Sequence, residues 1–427
     1  MSRILCVVPP LVGHINPAVG TAAALAARGH DIAWAGPDEL VRRLAGPGAR
    51  VFPCVSSDPG PDPDAKIAVR TAGLKGPAAL RFLWESFLIP LADHMAPRIR
   101  AAIEEFDPDL VVVDQQTVAG GIIAESLGLT WVTSATTSAE LVDPLAGMPK
   151  VAAWVDGLLE ALRGRIADGR GEADPRMSPH GVLAYTTRAL LGPVALAEQV
   201  WLVGPSVTDR PAPADFPWEW LAGAERTVLV SLGTANADAS APFLNAAVEA
   251  LSGMAGVHAV VVDPAGSVTG AGENILLRPH VPQLALLTRV DAVVCHAGHN
   301  TVCEALWHGV PLVVAPIRDD QPIVAGQVTA AGAGVRLRFG RADAQRIRDA
   351  VGTVLDEAAG HRAAARAVGR SFREAGGTEA AADRLEALLK HRKAELRRPR
   401  RPRGPAGRPR GVLPRRDPSH PSGPSPN

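Results

Sequence analysis

Short apolar runs of strand length alternate along this chain with longer stretches of helical spacing. Residues 3–8 (RILCVV) are almost wholly apolar, as suits a parallel strand covered on both faces. An alanine-rich stretch then runs to Arg28; Asn16 is its expected cap, Pro17 its first turn and Gly29 its stop. Asp31 to Ala35 reads as the next strand, and Leu110 to Gly128 holds another strand–helix unit. The same pattern restarts at Thr227 with VLVSLGT and a helix near Pro242 to Met254. Strands follow at His258 to Asp263, at 291–295 (DAVVC) and at 311–316 (PLVVAP). This recurrence predicts an α/β protein of two Rossmann-like, doubly wound domains facing each other across a cleft.

The expected boundaries follow from composition. An N-terminal domain spans 1–208 and a proline-rich linker covers 209–222. A C-terminal domain covers 223–390, with room for its last helix to return to the first domain. Residues 391–427 are rich in Arg and Pro with almost no apolar side chains, and are expected to be disordered. At 427 residues and 47% hydrophobic content, the rest is ample for two cores. The formal net charge of zero hides an asymmetry, because twelve basic and two acidic side chains lie from Lys390 onward. The remaining 32 basic and 42 acidic residues give the folded part no basic face for nucleic acid. No apolar run is long enough to span a bilayer, and the interrupted run Ile4 to Val12 reads as a strand rather than a signal peptide. Cys6, Cys54, Cys295 and Cys303 stand in no metal-ligand spacing, which suits a reducing, cytoplasmic setting.

Ligands of doubly wound sheets sit beyond the carboxyl ends of the strands, so the turns there carry the chemistry. The first turn lacks GxGxxG and offers His14, whose neutral imidazole can accept a proton near neutral pH. Asp114 ends the strand LVVVD; it is either the carboxylate that orients His14 or a helix cap. In the second half, His296-Ala297-Gly298-His299-Asn300-Thr301 turns from a strand into a helix whose open N–H groups would favour a pyrophosphate. Glu304 lies one turn beyond Asn300 and could accept from ribose hydroxyls, and Asp320-Gln321 suits the adjacent hydroxyls of a sugar. Ser231 and Thr234 stand in another strand-end turn, where their hydroxyls could face phosphate. Asp62-Pro63-Asp64 and Asp107-Pro108-Asp109 have a metal-binding spacing but lie in a proline-rich loop and just before a strand, so no metal is expected.

Together, Pro282-Gln283, the stretch His296 to Glu304, Gly309-Val310-Pro311, Pro316 and Asp320-Gln321 resemble the donor-binding signature of UGT-type glycosyltransferases. Gly13-His14-Ile15-Asn16-Pro17 resembles that family's N-terminal turn, and the likeness spans roughly residues 3–390. The resemblance implies a GT-B fold and an inverting transfer from a UDP- or TDP-sugar to a small apolar acceptor such as a macrolide, antibiotic or carotenoid. No cofactor or metal is implied. His14 would be the general base and Asp114 its orienting acid. His296, Gly298, Asn300 and Thr301 would hold the diphosphate, with Ser231 and Thr234 nearby. Glu304 would hold the ribose, Asp320 and Gln321 the sugar, and Gln283 would lie by the base. His280 and His299 stand where plant members carry tryptophans, which leaves base and sugar selectivity open.

The acceptor pocket is expected between residues 54–100 and 134–195, where Trp84, Phe87, Trp131, Met148 and Trp154 are either its lining or simply core. Two rival readings share the fold. One is a sugar-nucleotide epimerase or hydrolase, and the other a non-catalytic sugar-nucleotide-binding activator of another transferase.

Overall fold

The computed structural model describes residues 1–55, 76–142, 145, 147–208, 215–233 and 237–397. Among them two parallel sheets form. The first has seven strands in the order β3-β2-β1-β4-β5-β6-β7 and the second six in the order β10-β9-β8-β11-β12-β13. In the first sheet, β1 (Arg3–Val7) pairs on one side with β2 (Asp31–Pro37), which pairs with β3 (Arg50–Val55). On its other side lies β4 (Leu110–Asp114), followed outward by β5 (Trp131–Ala135), β6 (Val182–Ala184) and β7 (Val200–Leu202). The second sheet repeats the scheme around β8 (Arg226–Ser231). On one side stand β9 (Val257–Val262) and β10 (Ile275–Arg278); on the other, β11 (Ala292–Cys295), β12 (Leu312–Val314) and β13 (Gly334–Arg336). Each order reverses once, at β1/β4 and at β8/β11, opening a crevice at the carboxyl ends of those strands.

The strands are apolar throughout because helices cover both faces. Val111 and Val113 of β4 pack with Ile99, Ile122 and Trp131, whereas Leu110 and Val112 pack with Ile4, Leu25 and Leu385. All four cysteines are buried and free; burial pushes the Cys6, Cys54 and Cys295 thiols up to about 12. They act as small apolar fillers. Among the described residues no helix is long and apolar enough to cross a membrane.

Three details depart from the sequence reading, and one choice it left open is decided. The first helix, Val12–Ala27, is capped by Leu11 rather than Asn16, so His14 lies in its first turn and Pro17 within it. The linker is shorter than expected: Phe216 and Leu221 are already core residues of the second domain, the latter on the helix Trp218–Ala222, while 209–214 lie outside the described residues. The last helix, Gly377–Arg397, extends past 390, because Leu385 and Leu389 bury in the first domain's core and Arg392 Nε donates to Thr130 Oγ1 at 2.8 Å. Arg28 pairs with Asp383 at 2.7 Å and His30 with Glu386 at 3.0 Å along the same seam. The tail from 398 lies outside the described residues. Finally, Trp131 and Trp84 belong to the first core, with Phe87 and Trp154 packed against it; only Met148 is exposed.

Candidate active site

His14 reaches across the first crevice to the end of β4. Its Nδ1 lies 3.0 Å from both Oδ1 and Oδ2 of Asp114, a carboxylate with no exposed side-chain surface. Gln116 N–H donates to Asp114 Oδ1 at 2.8 Å, so the acid is held from its own turn as well. A carboxylate here favours the tautomer with the proton on Nδ1, leaving the lone pair on Nε2. The sequence reading missed a third member. Thr136, just past β5, places Oγ1 2.8 Å from His14 Nδ1 and donates to Asp114 Oδ2 at 3.1 Å. The available signal was the hydroxyl-rich run Ser134-Ala135-Thr136-Thr137-Ser138 at a strand's carboxyl end.

In the second crevice, β8 and β11 run in register so that Ser231 pairs with Cys295, which sets their turns side by side. Gly233, with φ +72, has no Cβ to meet His296 Cε1, and Gly298 has none to meet Nε2; added carbons would approach to 2.9 and 2.4 Å. The imidazole of His296 thus lies between two glycines. Burial lowers its pKa to about 4, so it is a neutral ring at physiological pH. Ala297 takes φ +67, a costly conformation for a residue with a side chain, and buries completely. The helix His299–Trp307 then starts with Gly298 as its cap, which has no side chain to bond the first N–H groups. Asn300 and Thr301 lie in that first turn, half-buried. One turn on, buried Glu304 accepts from Gln283 Nε2 at 2.6 Å, which brings together the two residues linked to ribose and base. His280 stands exposed just before them. Thr234 lies outside the described residues.

The two crevices meet. Pro17 has no N–H, so the Gly13 carbonyl four residues back lacks its usual helical donor, and Asn300 Nδ2 donates to it instead at 2.8 Å. Thr137 Oγ1 donates to Asp320 Oδ2 at 2.5 Å. Ser138 Oγ donates to Gln327 Oε1 at 2.6 Å. His299, expected near the sugar, instead packs into this seam, buried, with Nε2 3.3 Å from the Tyr185 carbonyl. Burial lowers its pKa too. Gln321 is also buried; its Oε1 accepts from the Ile317 and Arg318 amides at 2.8 and 3.1 Å and closes the loop that presents Asp320. A narrow gap enclosing about 10 Å³ remains between the domains, lined by Asn16, Pro17, Tyr185, Ser206, Asn300 and Glu304 among others.

Asp107 accepts from the Arg3 guanidinium at 2.5 Å and Asp109 from the Arg3 amide at 2.8 Å. The pair Asp62/Asp64 lies outside the described residues. Among the described residues no three His, Cys, Asp or Glu side chains group as a metal site.

A family model described as the erythromycin biosynthesis protein CIII-like C-terminal domain matches residues 257–388. The 4'-demethylrebeccamycin synthase of Lentzea aerocolonigenes is 31% identical over 395 residues, 83% of this chain and 92% of that protein. The chain belongs to the UGT-type glycosyltransferases. This transferase is also similar to the oleandomycin glycosyltransferase of Streptomyces antibioticus, at 29% identity over 88% of each chain. The solved spinosyn rhamnosyltransferase complexed with thymidine diphosphate superposes with a TM-score of 0.68 at 25% identity, over 90% of this chain and all of that one. The GT-B architecture and the glycosyltransferase class follow, and the relatives set the transferase among nucleotide-sugar-dependent enzymes of natural-product biosynthesis.

Proposed function

We propose that this transferase moves a sugar from a UDP- or TDP-sugar to a hydroxyl-type nucleophile of a small apolar natural product, in one displacement that inverts the anomeric carbon. The observation that carries the reading is the bond from Asn300 to Gly13. It joins the residue beside His14 to the helix start suited to a diphosphate, so base and leaving group belong to one site. His14 Nε2 takes the acceptor's proton as its oxygen attacks, and Asp114 steadies the imidazolium that forms. The charge appearing on the departing diphosphate is met by the open N–H groups after Gly298 and by the neutral ring of His296, which can donate a hydrogen bond.

The gap encloses about 10 Å³, room for a single water, where ligand pockets enclose roughly 300–1,000 Å³. Donor entry therefore parts the domains and displaces side-chain bonds such as Thr137–Asp320. The assembled His14–Asp114 pair weighs against a non-catalytic binding partner, which has no use for an oriented base.

Thermal unfolding with UDP, TDP, ADP and NAD at equal concentration tests the donor class. A ligand at about a hundred times its Kd adds roughly 2.7 kcal/mol. The expected result is stabilisation by UDP or TDP alone, followed by transfer that persists in excess chelator. Stabilisation by NAD or ADP alone overturns the reading.

A further inference from the structure

We propose that Thr136 is a positioning residue for the transfer, its hydroxyl being the third point that holds the His14 ring in place. The inference rests on His14 being the base. Asp114 by itself defines the ring poorly, because Nδ1 is equidistant, at 3.0 Å, from both carboxylate oxygens. Such a symmetric fork sets how far the ring lies from the acid but leaves it free to rock between the two oxygens. Thr136 Oγ1 breaks that symmetry. It is the closest of the three oxygens to Nδ1, at 2.8 Å, and it also donates to Oδ2 at 3.1 Å.

The carboxylate is meanwhile pinned on both sides, by Gln116 N–H at Oδ1 and by Thr136 at Oδ2. Both Asp114 and Thr136 are buried. The hydroxyl comes from the first residue past β5 and the carboxylate from the end of the neighbouring strand β4, and the pairing of the two strands continues in register to Asp114–Ser134. The sheet itself therefore fixes the distance between the two groups that grip the base. A ring whose Nδ1 is bracketed by three oxygens keeps Nε2 aimed at one place in the cleft, and aim is what a general base needs as the proton moves.

The variants are Thr136→Val, which keeps the shape and removes the hydroxyl, Thr136→Ala should valine fail to fold, and Thr136→Ser, which keeps the hydroxyl. Two readouts are compared in the full chain: steady-state transfer from UDP- or TDP-glucose to an alcohol acceptor, and carbon relaxation of the His14 ring without ligand. The expected result for the hydroxyl-less variants is a kcat about tenfold lower, well inside the roughly 10²–10⁴ that a general base contributes, with donor KM unchanged. Their His14 ring is mobile, and serine restores both order and rate. An ordered ring with unchanged kcat overturns the proposal. A raised donor KM with an ordered ring also overturns it, since the hydroxyl then serves the donor. If His14→Ala alone is fully active, the base reading fails, while ring relaxation still decides whether Thr136 holds the imidazole.

Discussion

The two crevices are built on one plan and do opposite things. Each opens where a sheet reverses its order, between β1 and β4 in the first domain and between β8 and β11 in the second. By that order Asp114, at the end of β4, and His296, just past β11, hold equivalent places. In the first domain that place carries a buried carboxylate, and the adjoining helix supplies a histidine to pair with it. In the second it carries a histidine, set between two glycines, that burial strips of charge. On the proposed reading, one crevice sets an imidazole against a carboxylate to move a proton, and the other keeps its turn free of bulky side chains so that backbone N–H groups can face an anion.

That contrast is broken most forcefully at His14. His14→Ala should lower turnover by about 10²–10⁴ while leaving UDP or TDP affinity nearly intact, as read by kcat and by nucleotide titration. Undiminished transfer to an alcohol would remove the division of labour altogether. In the second crevice, Gly298→Ala puts a methyl 2.4 Å from His296 Nε2 and forces the ring to move. Nucleoside diphosphate affinity should drop at least about tenfold, some 1.4 kcal/mol, with His14 chemistry untouched. A variant that binds as well as the parent shows that the diphosphate does not approach this turn.

The charge-stripped histidine also leaves a signature in stability. Its folded pKa of about 4 lies below its ordinary 6.5, so below pH 6.5 the unfolded chain binds a proton that the fold refuses. Stability falls as pH drops from 6.5 towards 4, by up to about 1.4 kcal/mol per pH unit from this one group. His180, His299 and His308 are shifted in the same direction, so the comparison is between the native chain and His296→Asn, whose denaturant midpoint should fall less steeply. Equal slopes would mean that His296 titrates freely in the fold.

The smallest effect concerns the join between the crevices. Pro17→Ala supplies the helical N–H that Gly13 lacks, so Asn300→Ala should cost less in that background than in the native one. The difference is about 0.5–1 kcal/mol in a double-mutant cycle of unfolding free energies. Equal costs would show that the proline does not create the docking point.

Much of this was readable before folding. Apolar runs of strand length, each followed by a turn and a helix, specify parallel strands covered on both faces, and their restart at Thr227 specifies two sheets. The small residues around His296 and the imidazole that His14 brings to the first turn were visible for the same reason: a turn's chemistry depends on residues adjacent in sequence. What lay beyond reach were contacts between distant segments. Asn16 looks like a cap by composition, yet the helix starts at Val12, and Asn300, 287 residues from Gly13, serves the carbonyl that Pro17 leaves open. His299 and Gln321 have the residue types of sugar contacts, but packing turns one into the seam and the other back onto its own loop. Thr136 gained its place only when β4 and β5 paired. Local patterning determined the elements and their order, because strand and helix periodicities are short-range properties. The partner of each buried polar group was decided by tertiary structure, because a hydrogen bond depends on distances that only the packed sheets set.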